Sequence, residues 1–162
     1  MSGLEARIEA VEAELAIRNV IARYGLAADC GDIDTALACH TVDAVYIVSN
    51  PNAGRDRSSD GDLELHGHSA VADMLNSERH QSLIPNCAHT VGPLVVDVNG
   101  DNATVLGYSR VYNMVDGQPH LMRLAFNRWD MQREIGKWKI ARRESRLLGE
   151  DAAQDLLTRG LG

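Results

Sequence analysis

Lysine is almost absent: Lys137 and Lys139 are the only two among 16 basic residues, and the rest are arginine. Arginine suits fixed, bidentate or partly buried contacts better than lysine does. The bases stand against 23 acids and leave a formal net charge of −7. That argues against a nucleic-acid duplex as partner, because phosphate binding needs a dense basic surface. Cysteine is also scarce. Cys30, Cys39 and Cys87 are odd in number and lack CxxC spacing, which excludes a disulfide framework and fits free thiols in a reducing cytoplasm. No apolar run approaches the ~20 residues that cross a bilayer. The opening MSGLEARIEAVEAEL is acidic and amphipathic, without the basic region and apolar core of a secretory signal, so a cytoplasmic protein that engages no membrane is expected. Gly-rich phosphate loops, a GxSxG elbow and a Walker motif are missing too. What remains is ordinary globular composition, 44% hydrophobic and 24% charged over 162 residues, enough for one domain with a core and a pocket.

Leu4, Ile8, Val11, Leu15, Arg18 and Ile21 follow a 4-3-4-3-3 spacing, which predicts one apolar stripe on a helix over about 4–29. Gly31 marks its end, and Asp32 is placed to cap a second helix over about 33–40, with Asp34 in its first turn. AVYIV predicts a strand over about 44–49. NPNAGRDRSSDGD, residues 50–62, reads as a surface loop or lid, and helical periodicity resumes over about 69–79. Four strands follow, over about 84–98, 102–115, 119–132 and 137–148, joined by turn sequences such as NGD and DG that make them antiparallel neighbours. Pro93 predicts a bulge or bend in the first of them. A short helix over about 150–159 closes the chain. This order predicts an α+β domain in which a curved antiparallel sheet wraps the long helix and encloses a cone-shaped cavity.

RYGLAADCGDID holds three aspartates, of which Asp32 and Asp34 are helix punctuation. Asp29 is different. It falls in the last turn of the long helix, where the partial negative charge of the helix end disfavours a carboxylate. Either it points into water or to the turn at Gly31, or a partner offsets that cost. His89, opening the meander in PNCAHTVGP, is the candidate partner. A carboxylate holding one ring N–H fixes the tautomer, stabilises the imidazolium and leaves the other nitrogen to act as a general base. Other constellations are weaker. His66-Gly67-His68 lacks a full metal-ligand set and reads equally as a strand end and helix cap, so no metal is expected. Cys87 shares a strand face with His89 but has no oxyanion motif beside it and reads as a small core hydrophobe. Tyr108, Arg110 and Tyr112 share one strand face, either as an exposed or subunit-facing ladder or as substrate-binding groups. Trp129 and Trp138 read as core or interface anchors.

The order of helix, RYGLAADCGDIDTALACHTVDAVYIV, loop, helix, AHTVGPLVVDV and meander resembles the SnoaL-like members of the nuclear-transport-factor-2-like superfamily over about Leu4 to Leu148. Its pattern is most similar to the group of scytalone dehydratase, hexachlorocyclohexane dehydrochlorinase and bile acid 7α-dehydratase. That resemblance implies an Asp–His dyad at Asp29 and His89, a pocket tyrosine at Tyr24 and a final-strand arginine at Arg146. One departure stands out: the strand-borne acid of the bile acid enzyme has no counterpart, and Val111 stands in its place. The expectation is a cofactor-independent lyase acting on a small cyclic or polycyclic, largely apolar substrate. His89 abstracts a carbon-bound proton, Asp29 orients it, Tyr24 donates a hydrogen bond and Arg146 stabilises negative charge. A proton-transfer isomerase or polyketide-cyclase-like enzyme would use the same residues, and a non-catalytic binding or accessory subunit is the reading from another class. Assembly as a homodimer or homotrimer through the outer sheet face is expected.

Overall fold

The computed structural model describes residues 3–49 and 61–161. Helix α1 runs from Gly3 to Cys30 without an interruption by glycine turn or proline. It stops because Gly31 adopts a left-handed φ of +74°. The Gly31 N–H then bonds the Ala28 carbonyl at 3.4 Å and the Asp32 N–H bonds the Ala27 carbonyl at 2.9 Å. This is the Schellman closure that only a residue tolerant of positive φ makes cheaply. Asp32 caps α2 (Ile33–Ala38) by accepting from the Thr35 N–H at 3.0 Å.

The face of α1 that enters the core is Ala13, Ile17, Ile21, Tyr24, Ala27 and Ala28. The expected stripe is therefore only partly the buried one. Leu4, Ile8, Val11 and Leu15 are 50–64% exposed, because at ~100° per residue they lie on the side of α1 opposite Ala13, Ile17 and Tyr24, and only Ile21 belongs to both sets.

Six strands form one curved, unclosed sheet in the order β2-β1-β6-β5-β4-β3. Their ranges are β1 His40–Val48, β2 Leu63–His66, β3 Cys87–Asn99, β4 Asn102–Val115, β5 Gln118–Glu134 and β6 Lys137–Leu147. β1 runs parallel to β6 and every other pairing is antiparallel. Between β2 and β3 lie α3 (Gly67–Asn76) and α4 (Glu78–Gln81). The single helix expected over 69–79 is two, because Ser77 leaves the helical region and its hydroxyl caps α4 at the His80 N–H. β2 ends at His66 and α3 begins there, as the strand-end and helix-cap reading of His66-Gly67-His68 has it, though no strand range was expected; its four residues pair with the far end of β1 and cover that edge. Residues 50–60, the greater part of the expected lid, lie outside the described residues. The bulge expected at Pro93 is present, as a register shift between Val91 and Leu94.

α1 packs across the inner face of the sheet against β3 and β6, and α5 (Asp151–Leu161) covers the outer face, where Leu156 packs on Leu106 and Phe126. Residues directly opposite across a strand pair share a face. The inner face therefore carries His89, Val111 and Arg123 in one row and Val105, Trp129, Arg143 and Tyr46 in another.

Candidate active site

Gly25 sets the distance between α1 and β3. A Cβ at this position would lie 2.9 Å from the His89 carbonyl oxygen, closer than non-bonded atoms approach, so only glycine lets the helix sit this near the strand. One turn further on, Asp29 reaches the start of β3. Its Oδ1 accepts from His89 Nδ1 at 2.5 Å and its Oδ2 accepts from the His89 backbone N–H at 2.7 Å. The Cys87 thiol adds a third donor to Oδ1 at 3.5 Å. These donors answer the question of why an acid stands at a helix C-terminus. Burial raises the cost of ionising Asp29, but the side-chain and backbone bonds from His89 and the imidazole charge outweigh it, so the carboxyl titrates below its ordinary value.

An ionised carboxylate only accepts, so Nδ1 of His89 carries a proton and Nε2 is the basic nitrogen of the neutral ring. Nε2 has no hydrogen-bond partner among the described residues, and the His89 side chain is 27% exposed against 16% for Asp29. The carboxylate is shielded while the reactive nitrogen stays open. His80 stands beside the pair with its ring centroid 6.0 Å from that of His89, its Nε2 within 3.0 Å of the Ala28 carbonyl.

Asp29, Cys87 and His89 also form the one cluster among the described residues with three potential metal-ligating atoms within 4.8 Å of one another. With no cation beside it, burial, the Asp29 charge and the bond to Asp29 together push the Cys87 thiol up to about 11, so it stays protonated and donates to Asp29. His66 and His68 diverge: His66 pairs with Glu64 at 2.9 Å, whereas His68 Nε2 lies 3.2 Å from the His40 carbonyl.

Tyr24 is five residues before Asp29, which turns the two about 140° apart on the helix. It lies on the inner face, edge-on to His40 with ring centroids 4.8 Å apart. Burial dominates its titration and holds the phenol protonated well above its ordinary value.

Arg146 is on the other side of the sheet. Its guanidinium pairs with Asp62 and donates to Glu144 at 2.8 Å. The inward arginine of β6 is Arg143, which is 7% exposed. Its Nε donates to Asn127 Oδ1 at 3.1 Å, and Asn127 Nδ2 donates to Ser109 Oγ at 2.7 Å. Sequence reasoning passed over Arg143, Asn127 and Ser109. For Arg143 the reason is a bulge in β6, which strict strand alternation does not anticipate.

Tyr108, Arg110 and Tyr112 alternate with Ser109 and Val111, so they face away from His89. Tyr108 stacks edge-on with Phe126 at 5.6 Å and lines a cleft of about 190 Å³ under α5. Arg110 donates to the Gly92 carbonyl at 2.9 Å. These three residues are not brought to the dyad. Val111, where the bile acid enzyme's acid was sought, lies directly opposite His89.

Comparison with known proteins agrees with this architecture. The SnoaL-like domain model matches residues 9–144. The chain belongs to the SnoaL-like family. Among solved structures this SnoaL-like chain is similar to an NTF2-like protein with a cystatin-like fold from Novosphingobium aromaticivorans. They share 34% identity over 97% of this chain and 96% of that one, with a TM-score of 0.84. At the level of fold alone it is similar to LinA, with 17% identity over 86% and 88% of the two chains and a TM-score of 0.69. A candidate scytalone dehydratase from Novosphingobium aromaticivorans matches at the same level, with 17% identity over 88% and 87% and a TM-score of 0.68. No curated protein matches the chain significantly. No helix among the described residues is long and apolar enough to cross a membrane.

Proposed function

We propose that the chain is a proton-abstracting enzyme of the lyase type that needs no cofactor and acts on a small cyclic substrate. The observation that carries this reading is the double grip of Asp29 on His89, through Nδ1 and the backbone N–H, with Nε2 left open. In the reaction Nε2 takes a proton from carbon, the imidazolium forms against a carboxylate already in place, and the electron pair left on carbon expels a leaving group on the neighbouring atom. Water or halide would be that leaving group, and the candidate scytalone dehydratase among proteins of the same fold supports the assignment. With no group to expel, the same proton returned to another carbon gives an isomer. Tyr24, held as the neutral phenol, supplies a hydrogen-bond donor on the inner face. Arg146 is occupied by Asp62 and Glu144 on the outer face and takes no part.

The test is turnover, together with solvent-deuterium incorporation at carbon, across cyclic β-hydroxy ketones, halocycloalkanes and hydroxysteroids. A well-placed base contributes ~10²–10⁴-fold, so Asp29→Asn and His89→Ala should each lose about that much while the thermal midpoint shows the protein still folded. Exchange or turnover that survives either substitution removes the dyad from the chemistry, and a ligand bound without exchange would favour the binding-subunit reading.

A further inference from the structure

We infer that the solvent face of α1 is an assembly surface on which two copies of this chain pack antiparallel, related by a two-fold axis at Leu15. This pairing is independent of the dyad reading and places assembly on the helix, not on the sheet.

The first observation is a line of exposed apolar side chains. Leu4, Ile8, Val11, Leu15 and Leu26 are 50–68% exposed, and Ala22 is exposed between the last two. At ~100° per residue all six fall within an arc of about 60°, on the side of α1 turned away from the sheet. From Leu4 to Leu26 the line runs ~33 Å at ~1.5 Å per residue. Exposed apolar residues scattered singly need no explanation, whereas a continuous apolar face marks an interaction surface. Residues 3–12 are exposed on every side of the helix and are tied to the sheet by the Glu9–Arg133 pair at 3.5 Å. A helical segment draws most of its stability from packing of its apolar face, and here that face is the outer one. The outer sheet face, the surface expected to carry assembly, is partly covered by α5, where Leu156 packs on Leu106 and Phe126.

The second observation is the distribution of charge, which selects the occupant. The first half of α1 carries Glu5, Glu9, Glu12 and Glu14 against Arg7 alone, and the second half carries Arg18 and Arg23 with no acid before Asp29. A parallel pair of helices would set acid against acid. An antiparallel pair sets the acidic half of each copy against the basic half of the other, and the helix dipoles then attract. With Leu15 on the axis, Leu4 lies opposite Leu26 of the other copy, and the bulky Ile8 lies opposite the small Ala22. Arg23 shares a flank with Glu5 and Glu12 of the other copy. The Arg18–Glu14 pair, 2.6 Å apart within the chain, meets its own symmetry mate. Every contact is made twice, as an isologous interface requires. A face of ~33 Å by the ~10–12 Å width of a helix covers on the order of 400 Å² per copy, at the small end of specific interfaces, so the dimer is reversible and concentration-dependent. An anionic membrane is a poorer occupant, because surface-seeking helices carry Lys and Arg beside the apolar face and the first half of α1 is acidic there.

The test is sedimentation velocity of the full chain from low to high micromolar concentration, where the wild type should pass from monomer to dimer. Leu15→Glu, at an exposed position, should weaken the dimer at least tenfold while the thermal midpoint of the dilute protein stays the same. Arg23→Glu should weaken it less, and adding Glu5→Arg and Glu12→Arg to that variant should restore it. In a Cys30→Ser background, Leu15→Cys should form an intermolecular disulfide on mild oxidation, because the axis brings both copies of that position together, whereas Leu4→Cys should not. A monomer at every concentration, an oligomer indifferent to Leu15→Glu, cross-linking at Leu4 in place of Leu15, or binding to phosphatidylglycerol vesicles by a protein that stays monomeric would each overturn the pairing. If Leu15→Glu fails to fold, the charge reversal and the cross-link decide the question.

Discussion

At the scale of the residue, Asp29 and Cys87 illustrate how one carboxylate organises its surroundings. The charge that holds His89 in a single tautomer also disfavours ionisation of the thiol that points at it, and burial acts in the same direction. Cys87 is therefore a hydrogen-bond donor, not a nucleophile. Cys30 is exposed, whereas Cys39 and Cys87 are buried. In the native protein near pH 7.5, iodoacetamide should modify Cys30 alone within minutes, and Cys39 and Cys87 should react only on denaturation, as peptide mass mapping would read. Asp29→Asn should make Cys87 easier to ionise and to label, and unchanged protection in that variant would show that burial alone guards the thiol. Asp29 was legible in the sequence because an acid at the wrong end of a helix needs a reason. Arg143 was not, because nothing local distinguishes it from Arg142 or Arg146 in ARRESR.

At the scale of the element, the reason is the bulge in β6. Trp138 and Ile140 face the core, and strict alternation from them would turn Arg142 and Arg146 inward. Instead Asp130 pairs with Arg142 and Met131 with Ile140, which leaves Ala141 as an extra residue. One inserted residue moves every later side chain to the other face, so Arg143 and Ser145 point inward and Arg146 outward. Composition carries no mark of such a slip. The stripe on α1 shows a related limit: its period is right for a helix, but the face that packs on the sheet is the one through Ala13, Ile17, Tyr24 and Ala28, on the opposite side from Leu4, Ile8, Val11 and Leu15. Gly25 gives the element-scale prediction. Alanine keeps the helix but must push α1 away from the His89 carbonyl, an overpacking worth ~1–3 kcal/mol. Because the dyad spans that interface, Gly25→Ala should cost activity far beyond its effect on stability, with kcat falling at least tenfold and the thermal midpoint by only a few degrees. A variant with wild-type kcat would show that the close approach is not what sets the Asp29–His89 geometry.

For the whole molecule, the cone of sheet around a helix was legible because the meander strands announce themselves by turn sequences, whereas the parallel pairing of β1 with β6 joins segments far apart and leaves no local sign. That pairing has a consequence for stability. It buries His40 at the start of β1 to 1% exposure, its Nδ1 donating to the Ala36 carbonyl at 2.9 Å and its Nε2 without a partner. Burial lowers the His40 pKa from 6.5 to about 4, with the charges of Arg143 and His68 acting the same way against the Ala36 bond. The folded state therefore binds this proton less readily than the unfolded chain does, and stability must fall as pH drops from the unfolded value toward the folded one. For one group shifted this far, the loss between about pH 7.5 and pH 5 is roughly 2 kcal/mol. Asp29 adds to it only at lower pH, because its depressed carboxyl loses its contribution as pH falls through the folded value, below the ordinary carboxylate range. Urea denaturation from pH 7.5 to 5 should thus show a falling midpoint in the wild type and a flatter profile in His40→Gln, even if that variant is less stable throughout. The same slope in both proteins would place the acid sensitivity elsewhere, and the gap between the wild type and Asp29→Asn should hold down to about pH 4 and narrow below it, as the wild-type carboxylate loses its contribution.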